Sequence, residues 1–260
     1  MMKQEECTTL FFDIRNFTTI TQQYSDNDEL YELISKVYET GIIFANKLAN
    51  TNKVYINSTG DGFLCIFFGD KHYLCAYLMG IALFLKCKPL FDLFYDSIQQ
   101  PRINPLNYYF GIGIESGYVR KVVGEIGSNK IETYIGNVIN IAARLEALTK
   151  EHGRTGIVFG PEFNEKIIYE LQSISYNEIR EKALKVEDRH SAKKIHLELD
   201  KITEDILTMY MFEHRLKGVA EPINTFRISK SLLETTNFQD WIYKERFPKY
   251  MYDNFLELIK

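Results

Sequence analysis

Apolar residues follow two spacings along this chain, one typical of strands and one typical of helices. Residues 8–12 are apolar or β-branched and end at Asp13, which predicts a central strand. Residues 27–48 carry apolar side chains every three or four positions, which predicts a long helix with one buried face. The sequence therefore begins with a buried strand that leads into a helical layer.

Two pairs of strand-like runs are each separated by turn residues. Residues 53–57 and 63–68 flank a Ser-Thr-Gly-Asp-Gly segment, which predicts a hairpin with an aspartate at its tip. Residues 108–115 and 118–126 flank Ser116-Gly117, which predicts a second hairpin there.

The remaining apolar patterns predict further helices and strands that complete an α+β fold. Residues 72–94 are mostly apolar, so we expect a buried helix that ends or kinks near Pro89. The other expected elements are a helix over 138–148, a strand over 155–159, a helix starting at Gly160-Pro161, and strands over 209–212 and 223–228. This order predicts a mostly antiparallel sheet with helices on one side of it.

Composition and charge narrow the function classes. The chain of 260 residues is 45% hydrophobic and 25% charged, as in a globular protein with a substantial core. Its net charge of −4 disfavours a broad surface for nucleic acid, so any phosphate-binding site must be local. Residues 173–206 are highly charged and predict a solvated insertion. The last thirty residues predict a helical tail with an aromatic face, packed on the domain or on a partner.

Cysteine use and the absence of a leader indicate a cytoplasmic protein. The four cysteines lack CxxC spacing and lie in apolar runs, so we expect reduced core residues. The first six residues are polar and charged, unlike a signal peptide. The most apolar stretch, 73–85, is too short to span a membrane and predicts a buried helix.

Two aspartates are placed where metal-dependent chemistry could occur. Asp13 ends the first strand and Asp61 lies at the tip of the adjacent hairpin, so the two carboxylates can converge. Carboxylates suit Mg²⁺ or Mn²⁺, and a pair of such ions can stabilise an in-line displacement at phosphorus. Backbone N–H groups at residues 16–18, including Phe17 and Thr18, would open a helix and face phosphates. Each aspartate alone is equally typical of a cap or a turn.

Asn140 and Arg144 lie four residues apart on one predicted helix, so they share a face. An amide can hold a ribose ring, and a guanidinium can neutralise charge that grows on phosphoryl oxygens. The alternative is a surface arginine beside a satisfied polar pair.

These motifs together resemble the catalytic domain of class III nucleotidyl cyclases. The resemblance covers residues 7–229 apart from the charged insertion. It rests on Phe12-Asp13-Ile14-Arg15-Asn16-Phe17-Thr18, Gly60-Asp61-Gly62, Gly111-Ile112-Gly113-Ile114-Glu115-Ser116-Gly117, the run from Gly136 to Arg144, and Leu216-Lys217-Gly218.

The resemblance implies a ferredoxin-like, palm-type sandwich that works as a homodimer with its sites at the interface. One subunit would hold two divalent ions (Mg²⁺ or Mn²⁺) with Asp13, Ile14 and Asp61. The other subunit would supply Asn140 and Arg144 to the transition state, and Lys217 to the terminal phosphates. The ribose 3′-oxygen of a nucleoside triphosphate would attack the α-phosphorus and release pyrophosphate. The catalytic domain would span 1–229, followed by the tail at 230–260.

Base selection in this family depends on two positions, which here are Asn57 and Thr133. Thr133 is compatible with an adenylate cyclase, whereas Asn57 fits neither the adenylate nor the guanylate pattern. Tyr55 lies two residues from Asn57 and faces the same side. It either narrows the base cavity in favour of a pyrimidine or packs in the dimer seam. Arg120 could reach a phosphate across the interface or remain solvated.

The catalytic motifs begin near the N-terminus with no sensor or membrane module before them. That organisation resembles compact bacterial pyrimidine cyclases of anti-phage defence, which make cyclic CMP or cyclic UMP. The alternatives are a soluble bacterial adenylate cyclase and a catalytically silent nucleotide-binding dimer module. A diguanylate cyclase is disfavoured because its Gly-Gly-Asp/Glu-Glu-Phe turn is absent.

Overall fold

The structure is a computed structural model, and it describes residues 3–49, 52–98, 109–126, 129–151, 156–170, 212–228 and 249–259. In chain order its elements are β1 (Gln4–Ile14), α1 (Phe17–Gln23), α2 (Asp28–Ala49), β2 (Val54–Ser58), β3 (Gly62–Phe68), α3 (His72–Ser97), β4 (Phe110–Ile126), β5 (Asn129–Ile135), α4 (Asn137–Glu151), β6 (Ile157–Phe159), α5 (161–170), β7 (Phe212–His214), β8 (Ile223–Arg227) and α6 (Lys249–Ile259).

The strands form one sheet in the order β2-β3-β1-β4-β6-β8-β7, with β5 paired to β4. All pairings are antiparallel except that of β4 with β6. Helices pack on this sheet, so the expected α+β sandwich with a mostly antiparallel sheet is confirmed. The predicted β2–β3 hairpin is confirmed as well.

Strand β1 lies inside the sheet, between β3 and β4, and side chains on both of its faces are buried. Leu10, Phe12 and Ile14 enter the main core, together with residues of α2 and α3. Alternation along the strand turns Cys7, Phe11 and Asp13 to the other face. Cys7 and Phe11 pack there in a second apolar cluster. Asp13 thus stands at the end of a buried strand on the face opposite the main core.

Helices α2 and α3 cover the first face of the sheet. Helix α3 is long and apolar enough to cross a membrane by length and composition, but 72% of its most apolar window is buried inside the fold. This burial agrees with the prediction of a core helix. The helix does not end near Pro89, as the sequence suggested, but continues to Ser97. Phe91 and Phe94, beyond the proline, are buried in the core, and their packing favours the continued helix.

Helix α4 packs on the opposite face, so the helices are not confined to one side as expected. It lies so close to β4 that a Cβ atom on Gly113 would collide with the carbonyl oxygen of Ala142. The glycines of β4 therefore allow α4 to lie directly on the strand. This contact brings the middle of α4 beside the end of β1.

The predicted hairpin at Ser116-Gly117 is wrong. Residues 110–126 form the single strand β4, and Gly117 pairs with Cys7 in the middle of it. The hairpin forms further along, where β4 pairs with β5. Residues 110–120 of β4 pair with the whole of β1, and this pairing outweighs the local turn preference of Ser-Gly.

The C-terminal helix α6 packs on the domain itself. Met251, Phe255 and Leu258 are buried in the main core, and Asn254 Nδ2 donates to the carbonyl oxygen of Lys47 at 2.8 Å. The predicted insertion at 173–206, residues 209–211 of a predicted strand, and Trp241 lie outside the described residues. All four cysteines are free and buried, as expected.

Candidate active site

Two carboxylates meet where β1 and β3 run side by side. Asp13 pairs in register with Gly62, the residue that follows Asp61. Burial raises the pKa of Asp13, and the nearby charge of Asp61 raises it further. Two neighbouring carboxylates repel each other, and a cation beside them offsets this repulsion.

Such a cation is present in the protein itself. Lys150 of α4 donates to Asp13 Oδ2 with its Nζ at 3.4 Å, and this attraction lowers the pKa of Asp13 in part. The same Nζ lies 3.7 Å from Glu146 Oε2, one helical turn earlier. Burial raises the pKa of Glu146 to about 7, and the charge of Lys150 opposes this shift. The sequence analysis missed this cluster because a Glu–Lys pair four residues apart is typical of any exposed helix.

The turn that carries Asp61 is held by a tyrosine from α2. The hydroxyl of Tyr38 donates to the carbonyl oxygen of Gly62 at 2.6 Å and lies 2.8 Å from that of Gly60. It also lies 2.8 Å from Ser58 Oγ, which can act as the donor. The sequence pattern marks Tyr38 only as one of the apolar positions of a helix. Its contact with the turn could not be predicted, because the hydroxyl reaches the turn only when α2 packs on the sheet.

Ile14 and the start of α1 lie next to Asp13. Ile14 is 3% exposed and its side chain belongs to the main core, so the side chain itself does not face a ligand. Helix α1 begins at Phe17, as expected, after Asn16 in a left-handed conformation with φ of 55°. Thr18 is exposed in its first turn.

The second group of candidate residues lies on α4 and on the loop before β8. Arg144 lies against Gly218, where an added Cβ atom would be 3.2 Å from Nη2 of the guanidinium. Asn140 and Lys217 are exposed. The structure thus brings Arg144 to the Leu216-Lys217-Gly218 loop of the same chain.

These residues point away from the carboxylate pair of their own chain. Successive helical residues are about 100° apart, so Arg144 is about 200° around α4 from Glu146. Glu146 and Lys150 form the face that meets Asp13. Asn140 and Arg144 therefore occupy a different face.

Of the residues expected to contact the base, Tyr55 bridges two strands. Its hydroxyl donates to the carbonyl oxygen of Glu132 at 3.3 Å, and its ring meets that of Tyr134 with centroids 5.0 Å apart. The contact ties β2, which carries Asn57, to β5, which carries Thr133. Asn57 and Thr133 are both exposed.

The two cations of β4 have different surroundings. Lys121 forms an ion pair with Glu132 of β5 at 2.6 Å. Arg120 is exposed and pairs with Ile135, the last residue of β5.

A model of the adenylate and guanylate cyclase catalytic domain matches residues 1–157. The chain belongs to this family. It is a nucleotidyl cyclase by that membership, and the carboxylate pair, the Asn140–Arg144 helix and the Lys217 loop all lie in the described fold. A search of curated protein sequences finds no match.

Solved structures of cyclases share the fold. The guanylyl cyclase Cya2 superposes with a TM-score of 0.57 at 16% identity, over 87% of this chain and 93% of that one. The adenylyl cyclase CyaB from P. aeruginosa gives a TM-score of 0.54 at 18% identity, over 88% and 95%. The guanylate cyclase domain of RhGC from Catenaria anguillulae, in complex with GTP, gives 0.54 at 16%, over 87% and 98%. Because both adenylyl and guanylyl cyclases superpose equally well, the fold leaves the base open.

Proposed function

We propose that this cyclase converts a pyrimidine nucleoside triphosphate, CTP or UTP, to its 3′,5′-cyclic nucleotide and pyrophosphate. The main support for this type of reaction is that Asp13 and Asp61 lie close together at the end of the β1–β3 pair. As its resemblance to pyrimidine cyclases implies, the product would serve as a cytoplasmic second messenger in anti-phage defence.

The carboxylate pair fits two divalent ions, Mg²⁺ or Mn²⁺. Burial is the larger cause of the raised pKa of Asp13, and the charge of Asp61 adds to it. Hard oxygen ligands such as these carboxylates suit Mg²⁺ and Mn²⁺. Asp13, Asp61 and the main-chain carbonyl of Ile14 would hold them. When bound, the ions would favour the ionised 3′-hydroxyl and neutralise the triphosphate.

The rest of the site would come from a second copy of the chain. Asn140 and Arg144 occupy a face of α4 that is turned from their own Asp13, so a homodimer is needed to bring them to a carboxylate pair. Exposed apolar side chains on the β4–β5 arm support this assembly, since a partner would bury them. They are Tyr118, Val123, Ile131 and Ile135, which are 48–62% exposed.

Each residue of that second face has a distinct task. Asn140 would orient the ribose, and Arg144 would stabilise the charge that develops on the α-phosphoryl oxygens. Lys217 lies beside Arg144 in the same chain and would bind the terminal phosphates. Arg120 and the first-turn N–H groups of Phe17 and Thr18 would add phosphate contacts.

The base assignment rests on the surroundings of Tyr55. Its ring lies on the same face of β2 as Asn57 and packs on Tyr134, so it occupies volume beside Asn57. Asn57 carries no charge and can both donate to and accept from a pyrimidine edge. Thr133 favours the second candidate, an adenylate cyclase that uses ATP.

The domain assignment is part of this proposal. We assign residues 1–229 to the catalytic domain and 230–260 to a C-terminal tail. Helix α6 of that tail supports the core through its contacts with α2 and α3.

The deciding experiment incubates the protein separately with ATP, GTP, CTP and UTP in the presence of Mn²⁺, and measures product mass. We expect cyclic CMP or cyclic UMP from the wild type and no product from Asp13→Ala or Asp61→Ala. Turnover of ATP alone would overturn the pyrimidine assignment. Turnover that persists in either aspartate variant would overturn the metal assignment.

A further inference from the structure

An ammonium group of the protein lies beside Asp13, one of the two proposed metal ligands. Lys150 Nζ is 3.4 Å from Asp13 Oδ2 and 3.7 Å from Glu146 Oε2, so it is shared between a proposed metal ligand and a second carboxylate. The Lys150 side chain is 46% exposed, whereas those of Asp13 and Glu146 are 19% and 4% exposed. The lysine is thus the most exposed member of the group, and the two carboxylates are largely buried.

Glu146 is a second carboxylate with which this ammonium group can pair. Its Oε1 is buried and has no hydrogen-bond partner among the residues that the structure describes. The other oxygen, Oε2, faces Lys150 at 3.7 Å, which is beyond hydrogen-bonding distance. A buried carboxylate that is poorly partnered is unfavourable, so closer approach of Lys150 to Oε2 would stabilise it. Lys150 and Glu146 are four residues apart on α4, so the ammonium can reach Glu146 by side-chain rotation alone.

We propose that Lys150 is a tethered counter-cation of the carboxylate pair, which leaves Asp13 for Glu146 when a divalent ion binds. This inference rests on the proposed function, because it takes Asp13 and Asp61 as the metal ligands. Two cations on the same carboxylate oxygen repel each other, so Lys150 and the metal ion compete for Asp13. Lys150 therefore weakens metal binding, and Glu146 reduces that competition by holding the displaced ammonium.

The test measures Mn²⁺ binding without nucleotide, from the electron paramagnetic resonance signal of free Mn²⁺. Lys150→Met should bind Mn²⁺ about fivefold more tightly, the effect of removing one nearby charge in a largely solvated site. Glu146→Gln should bind it more weakly, because Lys150 then stays on Asp13. The double variant K150M/E146Q leaves no buried charge unpaired, and it should again bind at least as tightly as wild type.

Matched controls separate this role from a general effect of lysine. Lys36 forms the same kind of pair with Glu32, four residues earlier on α2, so Lys36→Met should leave Mn²⁺ affinity unchanged. Lys150→Arg keeps the charge and should bind close to wild type. If Lys150 only stabilises the fold, Lys150→Met would lower the unfolding temperature without tighter binding, and that result would overturn the proposal.

Crystal structures with and without Mn²⁺ test the movement directly. With the ion bound, Lys150 Nζ should lie within hydrogen-bonding distance of Glu146 and away from Asp13. An ammonium that stays on Asp13 beside the bound ion would refute the exchange. If Asp13→Asn binds Mn²⁺ as well as wild type, the metal assignment itself fails. If Asp13→Asn loses binding but the Lys150 variants match wild type, only this inference fails.

Discussion

The carboxyl group of Glu115 lies buried at the start of α5. Its Oε1 accepts hydrogen bonds from the backbone N–H groups of Ser116 and Phe163, each at 2.9 Å. Burial raises the pKa of Glu115 to about 7, although these two hydrogen bonds favour the ionised form. The group therefore binds a proton more tightly in the folded protein than in the unfolded chain.

This shift predicts a pH dependence of stability. Because the pKa is raised on folding, the contribution of Glu115 is fully present below its unfolded value of 4.5 and is lost as pH rises through about 7. Glu115→Gln should reduce the fall in unfolding free energy between pH 4.5 and 7 by up to ~3 kcal/mol. Urea unfolding of both proteins across that range measures it, and identical slopes would contradict the prediction.

Arg144 is the residue at which a loss of rate should be separable from a loss of binding. Arg144→Ala should lower kcat by about 10²-fold with little change in KM, because the guanidinium would contact charge that develops only in the transition state. Arg215→Ala, an exposed arginine in the segment that carries Lys217, is the matched control and should have no such effect. Equal losses in kcat/KM and in nucleotide affinity would instead indicate a ground-state contact.

At the scale of elements, the β2–β3 turn depends on a helix from the other layer. The hydroxyl of Tyr38, on α2, donates a hydrogen bond to the carbonyl oxygen of Gly62 at 2.6 Å. The turn includes Gly60, whose φ is 102°, so its shape depends on such contacts as well as on glycine.

Tyr38→Phe should loosen the turn and with it Asp61. We expect a stability loss of ~1 kcal/mol from the missing hydrogen bonds and weaker binding of Mn²⁺. Tyr31→Phe is the matched control, since the Tyr31 hydroxyl donates to the carbonyl oxygen of Ser25, in the connection between α1 and α2 and away from Asp61. Unchanged Mn²⁺ affinity in Tyr38→Phe would show that the turn keeps its shape without the tyrosine.

At the scale of the whole molecule, α4 carries two separate groups of polar side chains. One face carries Glu146 and Lys150 against its own Asp13, and another carries Asn140 and Arg144 beside Gly218. In the proposed dimer, each α4 would therefore link the metal site of one chain to the transition-state residues of the other site.

Mixed variants test this sharing. Asp13→Ala and Asn140→Ala chains should each be inactive alone and regain up to about a quarter of wild-type activity when mixed. Half of the dimers would then be mixed, each with one intact site of two. A mixture that stays inactive although the chains exchange, as shown by labelled subunits in native mass spectrometry, would contradict shared sites.

Local pattern alone was sufficient for most elements and for the meeting of the two aspartates. Residues 27–48 and 63–68 formed the helix and strand expected of them because their periodicity separates buried from exposed positions over a short range. Asp13 and Asp61 converge because a strand and its neighbouring hairpin leave few alternative placements.

Tertiary packing decided what local pattern could not. The long pairing with β1 kept Ser116-Gly117 extended, and core contacts carried α3 past Pro89. Only the docking of α4 on the far side of the sheet placed Lys150 on Asp13, a contact across 137 residues. The physical reason is the sequence separation of the contacts. Side-chain periodicity is local and specifies which face of an element is buried, whereas the segment that covers this face lies far away in the sequence.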